Sequence, residues 1–264
     1  MKELTLEEIQ QESFKILLVI KQICEENNFK YFLQYGTLLG AIRHNGFIPW
    51  DDDIDLMMPR DDYEKFIEYF YNNREKYAPL EIFNFRYNRD YIYPITRISN
   101  KEFKADYDNT KDYGLGTFVD IYPYDGYKKS HFIQNFKINY NHHFIYQIGL
   151  FEMVPVNGFI KTLLKKRMFK KSRKADINKV LRKQEKLAKK LDYKKCEFVA
   201  NQNWDPEPFK REWIDELITH EFNGELFPIP KMYDELLTCF YGDYMKLPPE
   251  NERVGHHYYK IYKK

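Results

Sequence analysis

The stretch 50–59, WDDDIDLMMP, constrains this chain more than any other. Asp51, Asp52, Asp53 and Asp55 stand immediately before and inside an apolar run. Neighbouring carboxylates repel one another, so the cluster is costly unless a cation offsets it. Ile54, Leu56, Met57 and Met58 demand burial. A strand over 54–58, stopped by Pro59, reconciles the two needs. Side chains two apart on a strand share a face, with Cα atoms about 6.5–7 Å apart. Asp53 and Asp55 then stand together, while Ile54 and Leu56 anchor the opposite face in the core. Two carboxylates so placed suit one hard divalent cation, which prefers oxygen ligands. Asp51 shares their parity but lies beside the Pro49-Trp50 turn. Asp52 has the opposite parity and falls outside the site. The run lacks the Gly and distal Glu of a calcium loop. Taken alone, it also reads as a solvated acidic turn.

The flanking segments narrow the choice. Thr5 and Glu8 form a capping box, and apolar residues at helical spacing carry a helix to about Glu26. Residues 31–35 read as a strand broken by Gly36, and 37–43 as a short helix. Asp61 or Asp62 is expected to cap a helix over 63–71. Segments 80–85, 91–99, 102–107 and 117–123 have strand character. A strand–helix–strand opening followed by further strands predicts an α/β (α+β) fold with a mixed sheet. Gly36 lets the chain approach a phosphate closely. The Thr37 hydroxyl and the free N–H groups of the following helix offer an anion site. Asp120 is a single acid inside the apolar strand FVDI, a position that requires a partner or a metal. It is a candidate third carboxylate.

The chain has 264 residues, enough for one large domain or a core with elaborations. Its three cysteines, Cys24, Cys196 and Cys239, lie far apart in no metal-binding spacing, which points to a reducing compartment. The N-terminus does not read as a secretory signal, and no apolar run approaches the ~20 residues of a spanning helix. A cytoplasmic location is expected. Net charge is +2, yet residues 161–195 hold sixteen Lys and Arg against three Asp and Glu.

The segments 35–66 (YGTLLGAIRHNGFIPWDDDIDLMMPRDDYEKF), 116–125 (GTFVDIYPYD) and 227–250 together resemble the LicD family of phosphotransferases. The resemblance implies a nucleotidyltransferase-like catalytic core over 1–127; the basic helical region over 128–200 is read from the residues themselves, which have helical character throughout 129–195. A C-terminal segment over 201–264 packs on the core. It further implies Mg²⁺-dependent transfer, with Mn²⁺ as an alternative ion, of phosphorylcholine or a similar group from a CDP-linked donor. The acceptor is a sugar hydroxyl of a teichoic acid or surface-polysaccharide precursor, polymeric or lipid-linked. Asp53, Asp55 and Asp120 are the expected metal-binding and catalytic residues. Gly36, Thr37, Arg43, Asp51 and His257 are the expected donor- or acceptor-binding residues; His44 has no evident role. Transfer of ribitol phosphate or glycerol phosphate, nucleotidyl transfer, and a catalytically silent glycan-binding subunit are the alternatives. A choline head group requires aromatic faces or a carboxylate, and sequence singles out none of the many tyrosines.

In 159–174, FIKTLLKKRMFKKSRK, apolar residues and lysines recur at helical spacing. A basic amphipathic helix of this kind suits an anionic membrane surface or an anionic glycopolymer, or packs on the core as a solvated helix. Peripheral contact through 159–195 is therefore expected. No nucleic-acid-binding module is present.

Overall fold

A computed structural model describes residues 2–202, 207–255 and 259–264. The chain begins with β1 (Lys2–Glu3), α1 (Leu6–Asn27), β2 (Phe32–Leu33), α2 (Tyr35–His44), β3 (Asp55–Pro59) and α3 (Arg60–Asn72). Four strands follow: β4 (Leu80–Phe83), β5 (Thr96–Asn100), β6 (Phe103–Tyr107) and the long β7 (Phe118–Tyr127). Three helices come next, α4 (Phe132–Gly149), α5 (Phe159–Ser172) and α6 (Ile177–Ala188). The C-terminal part holds β8 (Phe198–Ala200), β9 (Phe209–Lys210), β10 (Leu217–Phe222), β11 (Glu225–Pro230), α7 (Tyr233–Tyr241) and β12 (Tyr259–Lys263).

The main sheet runs β2-β3-β7-β5-β4, with β8 and then β9 added beside the far half of β7. Among the described residues only β3 and β7 pair in parallel; the other pairings are antiparallel, so the sheet is mixed and the class is α+β. Ile16, Leu17, Ile20 and Ile23 of α1 are buried, as are Tyr63, Phe66, Ile67 and Phe70 of α3. Both helices lie against the central strands. Each such side chain contributes about 1.5–3 kcal/mol through burial. Because β3 is covered on both faces, all five of its residues are buried and the expected in-and-out alternation is absent. The C-terminal part returns to this core. β12 pairs with β1 and β6, and the β10–β11 hairpin packs on β2 and α2.

Several local expectations require correction. The Thr5–Glu8 capping box is formed and α1 ends at Asn27. The strand expected over 31–35 shrinks to two residues, because the chain turns at Tyr35, whose φ is 49°, and enters α2 there. No side chain caps α3: Pro59 occupies the cap position and the helix starts at Arg60, upstream of Asp61 and Asp62. Proline fixes φ near −65°, which delivers the chain directly from strand to helix. The helical region expected over 129–195 is interrupted by an irregular segment over 150–158.

Candidate active site

The site forms where α2, the lead-in to β3, and the start of β7 meet. Thr37 is buried in the first turn of α2, and its Oγ accepts a 2.8 Å hydrogen bond from the Asp55 N–H. The Gln34 N–H donates to the Asp55 carbonyl at 3.0 Å. The hydroxyl expected to meet a phosphate therefore also fixes the strand that carries the carboxylate. Gly36 lies beside Asp51: a Cβ at Gly36 would come within 2.7 Å of an Asp51 carboxylate oxygen. A side chain at this position would have to displace the Asp51 carboxylate. The loop holding Asp51 is tied down by Gln10 of α1, whose Nε2 donates to the Asp51 carbonyl at 2.7 Å.

Asp55 and Asp120 are direct neighbours in the parallel β3–β7 register, and Arg97 of β5 faces Asp120 from the other side. Arg97 donates to Asp120 through Nε at 2.6 Å and through a terminal nitrogen at 3.1 Å, and the Tyr122 hydroxyl adds a contact at 3.3 Å. The guanidinium lies between the Tyr93 and Phe118 rings, 4.3 Å from each centroid. Burial works against its charge, but Asp120 outweighs burial and pushes the Arg97 pKa well above its ordinary value. Burial, followed by the negative charge of Asp55, Asp120 and Asp53, pushes the Tyr122 phenol well up, so it stays protonated as a donor.

A cavity of about 520 Å³ opens at this site. Asp51, Asp53 and Asp55 line it with Gly36 and Arg43, whereas Asp52 and Asp120 are not part of the lining. A terminal N–H of Arg43 donates to the Tyr244 carbonyl at 2.8 Å, leaving most of its five donors for other partners. The wall also carries Trp50, Tyr241 and Tyr244, with Asp243 and Lys246 nearby. Sequence reasoning assigned none of these five to the site. The available signal was the turn after α7, where Gly242 adopts a φ of 65° between Tyr241 and Asp243. His257 lies outside the described residues.

Among the described residues no three His, Cys, Asp or Glu side chains stand close enough to hold a metal ion among themselves. The donor chemistry nevertheless fits Mg²⁺. This ion is usually held by one or two carboxylates together with substrate phosphates and water, and rarely by an all-protein cage. Asp53 and Asp55 offer two carboxylates at one cavity. Asp120 stands one strand away, held by Arg97 and Tyr122.

Residues 28–159 match the family model described as the LicD/FKTN/FKRP nucleotidyltransferase domain. The lipopolysaccharide cholinephosphotransferase LicD of Haemophilus influenzae is 31% identical over 284 residues, covering 99% of both chains. An uncharacterized protein of Rickettsia prowazekii is 41% identical over 49 residues, 19% of this chain and 18% of the relative. A mixed sheet presenting strand-borne carboxylates beside a glycine-opened helix thus defines a nucleotidyltransferase-type domain. The chain belongs to the LicD family and is a phosphotransferase.

Proposed function

We propose that the chain transfers phosphorylcholine from CDP-choline to a sugar hydroxyl of a surface-glycan precursor, a teichoic acid or a polysaccharide. The relative named for acting on lipopolysaccharide supports this class of acceptor. The observation that carries the reading is the make-up of the cavity wall. A quaternary ammonium favours aromatic faces and nearby negative charge. Trp50, Tyr241, Tyr244 and Asp243 offer both. A diphosphate favours cationic donors, and Arg43 and Lys246 line the same space.

In this reading the acceptor oxygen forms a bond to the phosphorus bearing choline. The bond from that phosphorus to the bridging oxygen breaks, and its electron pair leaves with CMP. Phosphoryl transfer depends chiefly on alignment and charge stabilisation. Arg43 and Lys246 hold the donor phosphates, Gly36 admits the chain and Asp51 to close quarters, and Thr37 keeps Asp55 in place. Asp53 and Asp55, with Asp120 as third donor, would hold Mg²⁺ or Mn²⁺, which supplies charge neutralisation at the diphosphate. The proton leaving the acceptor passes to a carboxylate that lines the cavity. The reducing character expected from three free cysteines supports a cytoplasmic location.

A thermal-shift series with CDP-choline, CDP-ribitol, CDP-glycerol and CDP-ethanolamine, each with and without Mg²⁺, tests the donor. CDP-choline with Mg²⁺ should give the largest rise; a ligand at a hundredfold its Kd adds about 2.7 kcal/mol. Asp53→Asn and Asp55→Asn should lose the rise while remaining as stable as the parent without ligand, because each removes a like charge from the cluster. A larger rise with a polyol donor, or one indifferent to Mg²⁺ and to both substitutions, would overturn the reading.

A further inference from the structure

We infer that α5 docks the protein on an anionic lipid surface, with the start of the helix entering the headgroup region first. Membrane docking is independent of what the cavity binds.

From Phe159 to Lys171 no residue of α5 is buried; Ser172 alone is. Phe159, Ile160, Leu163 and Leu164 are 84%, 71%, 58% and 61% exposed, which is unusual for four large apolar side chains within six residues. Among the described residues, the hydrogen bonds that tie the helix to α4 lie at its far end. The Ser172 hydroxyl donates to the Gln147 carbonyl at 3.2 Å, and Arg173 donates to the Leu150 carbonyl at 2.8 Å. Its first turns project from the body.

The distribution along the helix matters most. A helix turns about 100° per residue. Phe159, Ile160, Leu163 and Leu164 therefore share one side. Arg167, Lys170 and Lys171 come round on that same side two turns later. Along that side the helix passes from apolar to basic, while Lys161 and Lys165 stand on the opposite side of the first two turns, so the amphipathic pattern read from the sequence holds only for the first half of the helix. The apolar start, 159–164, spans about 8 Å at 1.5 Å per residue. Interfacial segments bury their apolar part to about 5–10 Å, so the length fits. The exposed Phe151 and Val154 belong to the segment that leads into the helix, and the Thr162 hydroxyl donates to the Val156 carbonyl at 3.0 Å, folding that segment back on the tip.

Charge selects the partner. No Asp or Glu occurs between Glu152 and Asp176, while 161–174 holds eight Lys and Arg. Among the described residues none of those eight is paired with a carboxylate. A greasy tip followed by an unneutralised basic collar matches a bilayer of acyl chains beneath anionic headgroups. A soluble polyanion would leave the tip exposed to water, and a second copy of the helix would bring like charges together. By contrast α6, with four Lys and Arg against the six of α5, buries Leu181, Gln184 and Ala188 against the body and offers no such tip.

Vesicle co-sedimentation of the full chain tests this. It should bind vesicles of phosphatidylglycerol and phosphatidylcholine at low salt, release as salt rises, and ignore phosphatidylcholine alone. Leu163→Glu with Leu164→Glu should cut the bound fraction at least about tenfold, since charge at the tip opposes insertion. Both sites are exposed, and an unchanged circular dichroism spectrum and melting temperature would confirm folding. A Phe159→Trp variant should show a blue-shifted difference spectrum on anionic vesicles. No binding at low salt, equal binding by the double variant, or binding without a spectral shift would overturn insertion. So would a dimer of the parent chain, seen by light scattering, that the double variant dissolves, because the tip would then cover a second copy.

Discussion

Arg97 and Asp120 face each other across β5 and β7, and both side chains are largely shielded from solvent. Deleting one member of a buried pair leaves the other charge uncompensated, at a cost of about 3–5 kcal/mol. Arg97→Met should therefore lower the urea-derived stability by that much. Arg97→Lys should recover part of it, since it restores charge but not the planar fork. A change below about 1 kcal/mol in Arg97→Met would mean that the pair contributes little. Thr37→Val should cost about 1–3 kcal/mol by leaving the buried Asp55 N–H without its acceptor, while Thr37→Ser should be tolerated in the same measurement. At this scale the sequence was partly legible. The spacing of Asp51, Asp53 and Asp55 led to the cavity lining because parity survives even where Asp53 precedes the strand proper. Arg97 was missed, although the reasoning that singled out Asp120, a lone charge in an apolar strand, applies equally to it. Tyr241, Tyr244 and Lys246 were hidden because their role depends on the chain's return after α7, whereas Trp50 stands directly before Asp51 and read only as part of a turn.

Between elements, an ion-pair network joins α3 to α6. Glu64 of α3 receives Arg86, which also reaches Glu185 of α6, and Lys189 approaches Glu64 at 3.2 Å. Buried Arg60 adds a two-pronged pair with Asp125, at 2.9 and 2.5 Å, joining the start of α3 to β7. Burial works to raise the Glu64 carboxyl, but the hydrogen bond and charge of Arg86 outweigh it and hold it at about 2, below the ordinary 4.5. A depressed carboxyl stabilises the fold fully above its unfolded value and loses that contribution as pH falls through the folded one. The stability difference between the parent and Glu64→Gln should therefore be constant above pH 4.5 and shrink toward pH 2, as read from urea midpoints across that range. A gap that does not change with pH would contradict the assignment. The sequence announced α3 through its apolar spacing, yet placed its start too late, because Pro59 rather than an aspartate sets it.

For the molecule as a whole, distant parts of the chain meet at one cavity. The carboxylates come from the N-terminal half, and Tyr241, Tyr244 and Lys246 come from the C-terminal return. That return is secured by β9 beside β8 and by β12 between β1 and β6. The fold class and the sheet were legible from strand-like segments and their order. The middle region was less so: lysines and apolar residues at helical spacing look alike whether a helix packs, as α6 does, or projects, as α5 does. The proposed chemistry requires the choline-bearing phosphate to move intact. The most direct test supplies CDP-choline labelled in the choline methyl groups, with Mg²⁺ and a surface-glycan acceptor, and follows the label and the nucleotide together. The expected result is label in the acceptor with an equal amount of CMP released, both abolished in Asp55→Asn. A nucleotide-bearing acceptor, or transfer undiminished in Asp55→Asn, would contradict it.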